Sequence, residues 1–140
     1  MTSMHAPTEK FNPGDVARPG GHYSHAVRAG ELIVTSGQLG IRPDGSHTAS
    51  MSFEVQARQA IGNLLAVLRA AGASPQDILR VTVYIAGVHH WPRFNEIYAQ
   101  IMGEARPARS VVPVPELHYG YLVEIEAIAI RQEPITTPQA

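Results

Sequence analysis

The sequence predicts an α+β domain, with two helices laid on one face of a mixed β-sheet. The first observation is residues 121–131, where Tyr121, Val123, Ile125, Ala127 and Ala129 alternate with Leu122, Glu124, Glu126, Ile128 and Ile130. Both sets are largely apolar, the mark of a strand covered on two sides. The second is a pair of stretches with a helical period, each ended by a glycine (Gly72 and Gly103). The third is the order β-β-α-β-α-β-β, with a hairpin at each end. Helices of this length need a sheet face to cover. Two helices cover only one face, so further copies of the same chain are the expected cover for the other.

Taken in order, residues 1–20 hold Pro7, Pro13 and Pro19 among glycines without periodicity and read as a flexible start. A single domain spans 21–131. His22 to Arg28 and Glu31 to Ser36 form a hairpin turning at Ala29-Gly30. Gly37 then permits a close backbone approach to a ligand or a neighbouring chain. Pro43-Asp44-Gly45 marks a turn, and Ser50 or Ser52 caps a helix running to Ala71. Val55, Ile61, Leu64, Leu65 and Leu68 share its apolar face, with Arg58 and Arg69 opposite. Ser74-Pro75-Gln76-Asp77 is a compact helix start leading into a buried strand, Arg80 to Ala86. His90-Trp91-Pro92 opens the second helix, lined by Phe94, Ile97, Tyr98 and Ile101. Two strands within 106–131 finish the domain, and 132–140 form a loose tail.

Composition narrows the function. At 140 residues with 44% hydrophobic and 16% charged residues, the chain is long enough for a sizeable core and is not of disordered type. Its formal net charge is -1 and no basic cluster occurs, which disfavours nucleic acid as a dedicated partner. No apolar run reaches the roughly 20 residues needed to span a bilayer, and no secretory signal opens the chain; a cytoplasmic protein is expected. There is no cysteine, so thiol nucleophiles, disulfides and cysteine metal sites are excluded. The single lysine is Lys10, so a Schiff-base mechanism has no suitable amine.

The chemistry concentrates near the C-terminus. Glu124 and Glu126 share one face of a buried strand, where an unmatched carboxylate costs about 3–5 kcal/mol. Arg109 in the preceding strand is the natural partner. Two readings stand side by side: a closed ion pair holding two strands, or a site for a small molecule that brings its own carboxylate. The seven histidines show no metal-binding spacing, so no metal site is expected. Ser36, Asn95 and Tyr23 each read as ordinary structural residues or as donors at a pocket.

The segments GHYSHAV, IVTSGQ, FNEIYAQI, PARSVV and VEIEAIA, in this order and spacing, resemble the reactive-intermediate deaminase family (RidA, or YjgF-type). The likeness runs from Gly21 to Ile130. It implies a homotrimer of chorismate-mutase-like fold with clefts between subunits. It also implies cofactor-free hydrolysis of enamines and imines such as 2-aminoacrylate and 2-iminobutanoate to 2-keto acids and ammonia. By position, the resemblance makes Arg109 the clamp for the substrate carboxylate and Glu124 the acid that places and deprotonates water. It makes Tyr23, Ser36, Gly37 and Asn95 pocket residues and leaves Glu126 a structural part. Two departures bear on the substrate side chain. Val111 stands where many relatives have cysteine, and Leu117-His118-Tyr119-Gly120-Tyr121 replaces a Leu-Pro-Lys loop. Within the resemblance, a specialised deaminase (3-aminoacrylate, 2-aminomuconate or a biosynthetic imine) and a non-catalytic binder of small carboxylates are alternatives. Some relatives have been linked to ribonuclease activity or translation inhibition, which the charge balance does not favour here.

Overall fold

A computed structural model describes residues 7–132. Its strands are β1 (Thr8–Phe11), β2 (Ala26–Ala29), β3 (Leu32–Thr35), β4 (Ile78–Ile85), β5 (Ala108–Pro113) and β6 (Val123–Ile130); its helices are α1 (Phe53–Ala71) and α2 (Trp91–Met102). They form one six-stranded sheet in the order β1-β2-β3-β6-β4-β5. Neighbours are antiparallel except β4 and β5, which run parallel through the α2 crossover. The sheet is therefore mixed, and the doubly apolar strand β6 lies inside it between β3 and β4. Val123, Ile125, Ala127 and Ala129 are buried beneath the helices, with α1 packed on β6 and α2 beside α1.

Local chemistry sets the helix ends. The Ser52 hydroxyl accepts the Val55 N–H at 3.3 Å, satisfying one of the four unpaired donors of the first turn. At the other end Gly72 adopts φ 100°, while its N–H and that of Ala73 return to the Arg69 and Leu68 carbonyls. The inward stripe differs from expectation. Val55 is 37% exposed, and Gln56 and Asn63 are buried instead. The Gln56 amide donates to the Ala49 and Met51 carbonyls and accepts the Leu122 N–H; Asn63 donates to the Leu39 and Ile41 carbonyls. The loop between β3 and α1 has few ladder partners, so helix side chains supply them and hold it in place.

Two other expectations change. The start read as flexible over 1–20 contains β1, whose backbone pairs with β2 from Thr8↔Ala29 to Phe11↔Ala26. The first hairpin strand begins at Ala26 rather than His22, because residues 22–25 bend away toward the cleft described below. Residues 1–6 and 133–140, which include nearly all of the expected tail, lie outside the described residues. Among the described residues, no helix is long and apolar enough to cross a membrane.

The sheet face away from the helices is open in the single chain. Leu32 (48% exposed), Val34 and Ile128 lie there beside half-buried Tyr84, Glu124 and Glu126. An apolar strip on the outward face of a six-stranded sheet is a surface suited to association.

Candidate active site

A break in the β3–β6 ladder makes the site. Val34 pairs with Ile128, and the chains rejoin where Gln38 exchanges backbone hydrogen bonds with Ile125. Between these points the β3 side carries one more residue, a bulge. The Thr35 hydroxyl takes over as acceptor for the Ala127 N–H (3.0 Å), and Ser36-Gly37 are turned toward Glu124. A Cβ at Gly37 would lie 2.8 Å from Glu124 Oε2, so only glycine leaves that carboxylate its place. The result is a cleft of about 880 Å³ whose lining includes Tyr23, Ser36, Gly37, His47, Tyr119 and Glu124.

The cleft walls are held by a hydrogen-bond chain. The His25 ring donates from Nε2 to the Ala17 carbonyl (2.6 Å), so its Nδ1 is left to accept from the Gln38 amide at 3.1 Å. Gln38 also donates to the Ser36 carbonyl, and the Ser36 hydroxyl donates to the Ser24 carbonyl at 2.6 Å. Ser36 thus has its proton committed and presents lone pairs, consistent with a strand-end hydroxyl rather than a nucleophile. The Tyr23 hydroxyl accepts the Gly20 N–H at the rim.

Glu124 is the electrostatic centre. Burial pushes its carboxyl above the ordinary 4.5; His118 pulls it back, and the Glu126 charge pushes it up further. A raised carboxylate in a cleft suits a general base or acid. Were Glu124 to act as a base it would have to be ionised, so the acid limb of kcat/KM would fall above pH 4.5. Glu126→Gln removes a negative neighbour and should move that limb down; His118→Asn removes a positive one and should move it up. Stability carries the opposite sign. Between the ordinary and the raised value the folded chain binds the extra proton, so stability falls as pH rises through that window. A pH–rate profile that neither variant shifts would detach Glu124 from the reaction.

Arg109, Asn95 and Val111 form a second group elsewhere. Arg109 on edge strand β5 donates to Asn95 Oδ1 at 3.0 Å, and its guanidinium lies 4.9 Å from the Tyr98 ring centre. Val111 packs against the core behind it. The Tyr98 hydroxyl is buried with no hydrogen-bond partner among the described residues.

The expectation that Arg109 faces a glutamate across the strands fails within one chain. Arg109 is opposite Val81, and Val81 is opposite Ala127, so all three share the helix-covered face. Glu124 is opposite Tyr84 and Glu126 opposite Thr82, on the open face. The expected residues therefore divide. Tyr23, Ser36, Gly37 and Glu124 meet in the cleft, whereas Arg109, Asn95 and Val111 meet beside the sheet edge. Sequence reasoning missed His25, Gln38 and His47 in the cleft wall. Part of the signal was present, since Gln38 adjoins the strand-end glycine and His47 follows the turn at Pro43-Asp44-Gly45. Their partners, however, are up to 74 residues away along the chain. Among the described residues no group of three or more His, Cys, Asp or Glu is placed to hold a metal ion.

A mixed sheet under two helices, with Glu124 at a bulge-formed cleft, defines a small α+β protein. Residues 15–131 match the family model described as Endoribonuclease L-PSP, and the chain belongs to this family, the YjgF/RidA family. It is 39% identical over 115 residues to a RutC family protein of Pyrococcus horikoshii, covering 82% of this chain and 91% of the relative. It is 38% identical over 117 residues to the 2-iminobutanoate/2-iminopropanoate deaminase of Homo sapiens, covering 84% and 85%. Among solved structures, E. coli TdcF with bound serine superposes with a TM-score of 0.83 at 33% identity, over 89% of this chain and 99% of that one.

Proposed function

We propose that this protein hydrolyses small reactive enamines and imines of 2-keto acids to the keto acid and ammonia. The half-buried Glu124 carboxylate, raised by burial and set against Gly37, is the observation that carries the reading. Deaminase relatives at 37–38% identity support it. The serine held by the E. coli relative is a small molecule with a nitrogen on the carbon next to its carboxylate, a placement that a 2-imino acid shares.

The steps follow from the side chains. The enamine tautomerises to an imine, and protonation at nitrogen makes the carbon electrophilic. Water held by Glu124 attacks that carbon as Glu124 takes a proton; the carbinolamine then expels ammonia and the keto acid remains. The lone lysine lies on β1 and does not line the cleft, so no enzyme-bound imine enters the scheme. Arg109 is the carboxylate clamp, since its planar fork matches a carboxylate in bidentate fashion. In this reading it comes from a second copy. The open sheet face of one chain is covered by another, whose β5 edge brings Arg109, Asn95 and Val111 to the Glu124 cleft of the first, in a homotrimer.

Two measurements test this. Ammonia release from freshly generated 2-iminobutanoate should exceed the buffer rate in proportion to protein; a rate equal to buffer would leave a carboxylate-binding protein instead. Light scattering at micromolar concentration should give three times the 15.2 kDa chain mass. A stable monomer would contradict the shared site.

A further inference from the structure

We propose that His47 and Tyr119, backed by the buried Tyr121, form the side-chain wall of the cleft, and that this wall selects imines bearing an aromatic or other planar unsaturated side chain over those with a short alkyl group. This deepens the deaminase reading and rests on it.

The wall is built from the core outward. Tyr121 is 1% exposed, and its hydroxyl accepts the Thr48 N–H at 3.1 Å. The hydroxyl proton is then free for His47 Nδ1, 2.9 Å away, which leaves the ring proton of a neutral His47 on Nε2. The His47 ring is thereby held 5.8 Å from Tyr121 and 4.7 Å from Tyr119, while Tyr119 meets Tyr121 edge-on at 6.4 Å. The separations are those of aromatic pairs in contact, and the Tyr119–Tyr121 pair has the edge-to-face tilt that such pairs prefer.

Tyr119 is the outermost ring. It is 63% exposed and lines the same cleft as Glu124, and a Cβ at Gly20 across the opening would lie 3.6 Å from its hydroxyl. Among the described residues it is the one non-glycine residue with positive φ, at 61°. A tyrosine pays steric strain in that conformation, and strained backbone concentrates where a side chain is being placed for use. Here the left-handed turn swings the ring onto His47 instead of letting it follow the strand. A planar side chain extending from the carbon beside Glu124 gains a ring face to stack on; an ethyl group gains little.

The test compares two imines made in situ by an L-amino-acid oxidase, from phenylalanine and from 2-aminobutanoate, with their decay read by semicarbazone formation. The full chain, Tyr119→Ala and Tyr119→Phe are compared, with trimer content checked for each. The ratio of kcat/KM for the phenyl over the ethyl imine should exceed one in the unmodified protein. It should fall about tenfold in Tyr119→Ala, mainly through KM, and stay within about twofold in Tyr119→Phe. An unchanged ratio in Tyr119→Ala overturns the wall. If neither imine is turned over, the deaminase reading fails and calorimetry decides the wall alone. Phenylpyruvate should then bind more tightly than 2-oxobutanoate, with the preference lost in Tyr119→Ala; equal affinities overturn it.

Discussion

Glu124→Gln is expected to fold, to bind 2-keto acids as the unmodified protein does, and to lose about 10²–10⁴ in kcat, the range contributed by a positioned acid or base. The amide has the shape of the carboxylate and keeps its place against Gly37, but it cannot accept the proton from attacking water. Glu126 is the internal control. It lies two residues along on the same open face, opposite Thr82, and burial, helped by its charge, raises the Tyr84 phenol. Glu126→Gln should therefore act mainly on stability, by about 1 kcal/mol read from the urea midpoint. Three readouts separate the roles: trimer content, keto acid binding and ammonia release from 2-iminobutanoate. A folded, inactive Glu126→Gln beside an active Glu124→Gln would reverse the assignments. Full turnover in both would remove either residue as the base.

Arg109→Ala should abolish nearly all turnover, and Arg109→Lys should lose about 10–100-fold, the equivalent of roughly 1.5–3 kcal/mol for a charged hydrogen bond. Lysine keeps a charge but loses the flat fork that Asn95 and the Tyr98 ring hold in one orientation. Wild-type kcat/KM in Arg109→Lys would make Arg109 structural. The shared site adds a sharper result. Arg109→Ala and Glu124→Gln, each inactive alone, should restore activity when unfolded together and refolded as mixed trimers. In the proposed trimer each cleft draws one half from each of two chains, so about a quarter of clefts would receive both intact halves. Mixed trimers without activity would remove the proposed arrangement, since within one chain the sheet separates the two residues.

Much of the fold was legible because it follows from local periods. The alternation in 121–131 marked a strand, and β6 lies inside the sheet with one face buried under the helices and the other open in the single chain. Ser52 and Gly72 marked the ends of α1 because an unpaired N–H needs an acceptor and a left-handed cap favours glycine. The strand β1 was not legible. Thr-Glu-Lys-Phe has little alternation, and it is a strand only because β2 offers a free edge.

The candidate site was legible by residue type but not by arrangement. The sequence by itself determined which groups are available: two carboxylates at Glu124 and Glu126, the guanidinium of Arg109, no thiol and a single lysine. It also determined which side chains of a strand share a face, since that alternation is a property of the backbone alone. Only the tertiary structure decided how the faces of different strands align. β4 lies between β5 and β6, and its register puts Arg109 under the helices and Glu124 on the open side. Registers of this kind are set by pairings far apart in sequence and by the bulge at Thr35–Gly37, where side-chain hydrogen bonds replace the ladder. No local pattern encodes them.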